Sequence, residues 1–286
     1  MKGHLRRVVR FVVAGLLAGL VGLLAWAHAR ARDVPLSPVA ADWFVGPRFP
    51  QRHGLVTGEP IEGELDDVGV LAGETFDPNG LDSAVCDFYE RTADYEMRYR
   101  ARWHRPFRVG AALASHLTSR IEQLNLPGPG DEGWHRLESE FFAVAEPKPS
   151  DGPAREDVRA WVRTDPETGE AVFVALYATH HRDGDGFVNI TAPIPGGGVD
   201  TVLRPEHLNR GDGDGTGIRL TTKGAGDPGL YLRTPLGVFA VPGGQAFEVW
   251  REGGDLRATH EMWLLGRTFL TVEYEIERSQ TSVSTS

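Results

Sequence analysis

The chain has 286 residues, 30 Lys and Arg against 40 Asp and Glu, a net charge of −10 and one cysteine. That acidity argues against non-specific binding to nucleic acid or anionic lipid, since both demand positive surface. A lone thiol excludes an intrachain disulfide and any multi-cysteine zinc or iron–sulfur site.

Lys2, Arg6, Arg7 and Arg10 precede an uncharged apolar run from Phe11 to Ala27. A helix rises about 1.5 Å per residue, so a bilayer core of about 30 Å takes roughly 20 residues and this run sits at the lower limit. The basic flank comes first, which puts the N-terminus in the cytoplasm and the large remainder outside. Four basic residues are thereby left behind, and the exported part carries about −14. Ala27-His28-Ala29 has the small-x-small spacing of a signal-peptidase site. Residues 1–29 therefore read as a signal anchor or a signal peptide. The first gives a single-pass cell-membrane protein with its large domain extracytoplasmic, and the second a secreted or periplasmic one. Gly15 and Gly19 have the spacing that lets two membrane helices pack closely.

Residues 30–80 read as a linker or lead-in, broken by Pro35, Pro38, Pro47 and Pro50 and carrying an acidic patch at Glu59, Glu62, Glu64, Asp66 and Asp67. Short strands are expected at Leu55-Val56 and Val68–Leu71. Helical spacing begins near Leu81 with Asn79 or Asp82 as cap, and buries Val85, Phe88 and Tyr89. Tyr95, Met97, Tyr99, Ala101 and Trp103 then alternate with Glu96, Arg98, Arg100 and Arg102, the period of a strand with an aromatic face inward. Val109, Leu113, Leu117, Ile121 and Leu124 predict a covering helix over 107–124, stopped by Pro127-Gly128-Pro129-Gly130.

After Gly133 the period becomes two. Strands are expected at 134–146, 158–164, 171–180, 186–192, 217–222, 230–233, 237–241, 246–251, 257–264 and 269–277, with tight turns at 165–169 and 252–255. Residues 81–278 thus form one β-rich domain, followed by a polar tail, 279–286, expected to be disordered. The expected fold is α+β: an N-terminal membrane or signal helix, then a helical section packed on an extended, curved or barrel-like antiparallel β-sheet.

Candidate chemistry is sparse. Gly196-Gly197-Gly198 and Gly211–Gly215 lack a following apolar helix, so neither forms a phosphate cradle. Asp183-Gly184-Asp185-Gly186 and Asp212-Gly213-Asp214-Gly215 leave the EF-hand pattern incomplete and read as acidic turns. Cys86 reads as a buried structural thiol. Alternation puts His180 and His181 on opposite faces of one strand, both faces apolar. His260 shares a face with Ala258 and Met262, and a buried histidine responds strongly to its neighbours. Glu273 and Glu275 share a face, about 6.5–7 Å apart along the strand. His260, His180 and Glu273 are therefore the catalytic candidates, although a structural hydrogen bond or a solvated sheet face is the simpler account of each. Tyr99, Trp103, Tyr177 and Met262 are the candidates for lining a ligand pocket.

The leading expectation is extracytoplasmic binding of an apolar or amphipathic small molecule close to a membrane held through residues 11–27. The alternatives are a hydrolase or isomerase using a histidine–carboxylate pair, and a structural role in the envelope. No cofactor, metal or nucleic-acid partner is expected, and the sequence leaves the oligomeric state open. The binding reading predicts a cavity above about 300 Å³ bordered by His260 or His180.

Overall fold

A computed structural model describes residues 2–147, 155–213 and 215–279. The polar tail beyond Ser279 and Asp214 of the second acidic turn lie outside the described residues. The elements in chain order are α1 (Lys2–Ala31), α2 (Phe49–Arg52), β1 (Val56–Ile61), α3 (Ser83–Glu90), β2 (Tyr95–Trp103), α4 (Arg108–Ile121), β3 (His135–Val144), β4 (Glu156–Thr164), β5 (Ala171–Arg182), β6 (Asp185–Ile194), β7 (Gly197–Leu208), β8 (Gly217–Thr221), β9 (Gly229–Thr234), β10 (Gly237–Val241), β11 (Gly243–Glu252), β12 (Asp255–Leu264) and β13 (Arg267–Arg278).

The sheet closes. Around the ring the order is β2–β3–β4–β5–β6–β7–β8–β11–β12–β13 and back to β2, every neighbour antiparallel. Closure removes the free edges that an open sheet would present. Two long strands make the corners. β7 pairs β9 through residues 198–202 and then β8 through 204–208. β3 likewise pairs β2 at its start and β1 further on. The β9–β10 hairpin and β1 are thus added outside the ring. Pro205 lies just past the switch in β7, where partner strands change.

β7 is the one barrel strand absent from the sequence-based expectation. Its first residues, Gly197 and Gly198, read as loop because glycine weakens strands. They are glycines because β9 crosses too close: a Cβ on Gly197 would run into the Arg233 carbonyl, and one on Gly198 into the Arg233 guanidinium. Tight returns elsewhere match expectation. Asp183 and Gly184 both take positive φ, 54° and 84°, in the two-residue β5–β6 turn, and Gly253 and Gly254 do so between β11 and β12 at 65° and 94°.

The lead-in from Asp33 to Gly80 wraps the barrel. It buries Val39, Ala41, Val45, Phe49 and Leu55 against Val162, Val174 and Leu176 on the outer face of β4 and β5. That cover explains why both faces of β5 are apolar: Phe173, Ala175 and Tyr177 belong to the interior core. Val68–Leu71 is a 3₁₀ turn, not a strand, because the Asp67 carboxylate accepts from the Gly69 N–H and starts a helical turn. Asp82, the second of the two expected caps, accepts from the Ala84 N–H at 2.8 Å and starts α3, which buries Val85, Phe88 and Tyr89.

α4 ends at Ile121, three residues short of its expected limit, because Glu122 and Leu124 take left-handed φ of 45° and 56°. Val109 is 73 % exposed instead of facing the core, and the side chains at 113–117 lie outside the described residues. The turn after the helix does the covering. Gln123, fully buried, inserts between the diverging ends of β5 and β6. Its amide donates to the Val174 and Pro193 carbonyls at 2.8 and 3.0 Å and accepts from the Val174 N–H at 3.0 Å. Two strand ends thereby keep their backbone hydrogen bonding although they have parted.

At the other end of the chain's path, α1 runs directly into the folded domain. Leu16, Leu17, Leu20, Val21, Leu23, Leu24 and Trp26 are exposed, whereas Ala27 and Ala31 are buried. His28 Nδ1 lies 2.9 Å from the Val238 carbonyl of β10, and Arg30 donates to the Pro228 carbonyl at 3.3 Å. Among the described residues, the stretch Val13–Ala31 is the one helix long and apolar enough to cross a membrane.

Candidate ligand cavity

Alternation along ten closed strands points one side chain in two at the barrel axis. Over part of the interior these side chains do not meet, and they leave a cavity of about 240 Å³. It is lined by Leu137, Val172, Phe173, Ile190, Leu203, Leu220, Phe247, Met262, Phe269 and Val272, with Leu124 and Leu126 from the turn after α4. Seven polar side chains share the wall: Tyr99, Arg163, Tyr177, Thr201, Gln245, His260 and Tyr274. The volume falls short of the expected 300 Å³, though an apolar cavity of ~150 Å³ already suffices for a benzene-sized guest.

Of the pocket residues named from sequence, Tyr99, Tyr177 and Met262 line this cavity. Trp103 does not: it stacks on Phe269 at 6.3 Å and donates its indole N–H to the Pro127 carbonyl at 2.8 Å. Its place near the end of β2 carries it past the cavity.

The three catalytic candidates occupy three separate environments. His260 lines the cavity with Nε2 2.9 Å from the Gln245 amide oxygen, across from Phe247. Burial, with a smaller push from the Arg163 charge, lowers its pKa to about 3, so it is neutral at physiological pH. His180 lies on the opposite side of the barrel wall, 2 % exposed and stacked on Phe187. Its ring nitrogens face Asn189 Oδ1 at 2.5 Å and Asp227 Oδ2 at 2.9 Å. Glu273 is on the outer face, where it accepts from Arg100 Nε at 2.6 Å, and Glu275 beside it pairs with Arg257 at 2.8 Å. His181, at the end of β5, is exposed and meets the Val70 carbonyl at 2.8 Å. A further pair that sequence reading passed over, His135 and Asp131, sits 3.3 Å apart at the surface. Cys86 is half-buried, and burial together with Glu90 and Asp82 raises its thiol pKa, which keeps it protonated and unreactive.

Two residues missed from sequence govern the cavity's electrostatics. Arg163 follows Trp161 by two positions in β4, so both point inward. The guanidinium lies 3.4 Å from the Trp161 ring centre and 5.7 Å from that of Tyr274. It is 8 % exposed, its Nε has no hydrogen-bond partner, and no carboxylate pairs with it among the described residues. Glu64 lies behind the lining, close enough to feel the Arg163 charge, on the loop that the Leu65 N–H ties to the Tyr89 carbonyl at 3.1 Å. It is 3 % exposed, and one carboxyl oxygen has no partner. Burial raises its pKa to about 8 against the pull of Arg163 and Arg159. Arg159 is itself occupied, by Asp66 at 2.7 Å and the Gly63 carbonyl at 3.0 Å.

The fold and site thus define a membrane-anchored, closed antiparallel barrel with a predominantly apolar interior cavity. The chain is 35 % identical over 219 residues to the Uncharacterized membrane protein YndJ of Bacillus subtilis (strain 168), a match covering 75 % of this chain and 38 % of that protein. The chain therefore spans well under half the length of this relative. No family model matches it, and no solved structure does. The apolar helix, its basic N-terminal flank and the membrane-protein relative together place the barrel on the extracytoplasmic side of a single N-terminal membrane helix.

Proposed function

We propose that the barrel binds an apolar or amphipathic small molecule beside the membrane. The observation that carries this reading is the hollow interior: an apolar cavity of about 240 Å³ with a few convergent polar groups. Protein interiors are ordinarily packed as densely as organic crystals, and an unfilled volume of this size costs stability at roughly 24 cal/mol per Å³ when created by truncation. A site kept open at that cost is what a binding function requires. Titration of the full chain in lipid nanodiscs with an apolar naphthalene probe tests it. Saturable one-to-one binding is expected, weakened at least tenfold by Val272→Phe, which places a larger side chain in the cavity wall. Binding that Val272→Phe leaves unchanged in a folded protein contradicts the cavity as the site.

The same reading keeps the anchor. Ala27 and Ala31 are packed against the domain and His28 meets β10, so the Ala27-His28-Ala29 segment belongs to the barrel's own flank. The intact mass of the membrane-extracted chain is expected to include residues 1–29. A mass that begins at Arg30 would show that the helix is a cleaved signal.

A further inference from the structure

Resting on that binding reading, we infer that the ligand is an anionic amphiphile whose carboxylate pairs with Arg163 while its hydrocarbon body fills the apolar cavity. Arg163 is the reason. A guanidinium keeps its charge at any physiological pH, and a buried charge without a counter-charge is among the most costly features a fold can hold. The rings of Trp161 and Tyr274 give it a partial partner through their π faces, and the Tyr274 hydroxyl accepts one of its hydrogen bonds, but no carboxylate among the described residues pairs with it. Its Nε is unpaired, and Arg163 is part of the cavity wall. A carboxylate entering from the cavity meets a planar fork of donors suited to bidentate pairing.

The surrounding groups do not already neutralise it. The titratable and charged groups that face this point come from several elements: Arg159 from β4, Glu64 from the loop after β1, Tyr89 from α3, Tyr99 from β2, Tyr177 from β5, His260 from β12 and Tyr274 from β13. Burial keeps Tyr89, Tyr99, Tyr177 and Tyr274 protonated and His260 uncharged. Arg159 is matched by Asp66. Glu64 is mostly in its neutral acid form at pH 6.5. What remains facing the cavity is one positive charge in a predominantly apolar enclosure whose other polar groups are neutral, which selects one anionic head against a neutral or cationic one. Aromatic and aliphatic walls above it, Phe247, Met262, Phe269 and Leu203 among them, accept a hydrocarbon body.

Displacement of the naphthalene probe from the full chain in nanodiscs, by octanoate, octanol and octylammonium at pH 6.5, tests the inference. Octanoate is expected to compete at least tenfold more tightly than octanol, and octylammonium least well. Arg163→Met is expected to bring octanoate and octanol to equal affinity. The wild-type ratio stands by itself should that variant fail to fold. Equal displacement by octanoate and octanol in the wild type overturns the anionic-ligand inference and leaves the binding reading intact. A preference for octanoate that persists in folded Arg163→Met overturns the role of Arg163. Probe binding that none of the three displaces overturns the inference, whereas absence of any probe binding overturns the binding reading beneath it.

Discussion

Glu64→Gln is expected to become progressively more stable than the wild type as pH rises from 4.5 to 8, by about 1.4 kcal/mol per pH unit and about 5 kcal/mol in all. The sign follows from the direction of the shift. Burial raises the Glu64 pKa from 4.5 to about 8 in the folded chain. The native state therefore holds a proton that the unfolded chain releases, and its contribution is full below pH 4.5 and lost as pH climbs through 8. Glutamine keeps the shape and has no proton to lose. His260 acts in the opposite sense. Its folded pKa of about 3 lies below the ordinary 6.5, so its contribution is present above pH 6.5 and lost as pH falls toward 3. Asp200, also raised by burial, follows the sign of Glu64. Comparing wild type with Glu64→Gln at each pH removes both background terms. Urea unfolding of the full chain in detergent at half-unit intervals measures the difference, and a pH-independent difference contradicts the buried, neutral Glu64.

Removing Asp227 is expected to cost about 3–5 kcal/mol, the range for breaking a buried ion pair from one side. Asp227 is 2 % exposed and holds two partners, His180 Nε2 at 2.9 Å and Arg182 at 2.7 Å. The network continues through Asn189, whose amide donates to the Pro35 carbonyl at 2.6 Å, while Arg182 also donates to the Asp33 carbonyl at 2.5 Å. These bonds clamp the chain emerging from α1 onto β5 and β6. Asp227→Ala leaves His180 and Arg182 without their carboxylate and loosens that clamp. A drop in the urea midpoint at unchanged slope is the expected readout, with Asp227→Asn falling between the variant and the wild type. A loss below 1 kcal/mol would mean the clamp contributes little to the folded state.

The sequence announced the barrel's strands through alternation, because a one-sided burial pattern is written directly into residues such as Met97, Tyr99 and Ala101. Closure was not legible, since pairing of β7 with β8 joins segments whose own pattern is ordinary. β7 itself was hidden because close crossing by β9 demands glycine where a strand would normally carry branched side chains. The double burial of β5 was visible in its two apolar faces, but the cover came from the proline-rich stretch 33–55, which carries no periodic signal. His260, Tyr99, Tyr177 and Met262 were found because they sit on regular strands whose inward face can be counted. Arg163 was on an equally regular strand, and counting from Trp161 puts it inward. It was passed over because arginine is normally a surface residue. Glu64 was read only as one member of an acidic patch, and only the loop's course beneath α3 separates it from Asp66, which remains in solvent.

Native mass spectrometry of the full chain, extracted from its own membrane and released gently from detergent, bears most directly on the claim that the barrel is a container. The account predicts one bound small molecule per chain, lost or sharply reduced in Val272→Phe. A wild-type chain that flies without any adduct, and takes up neither octanoate nor octanol when they are added, would contradict it.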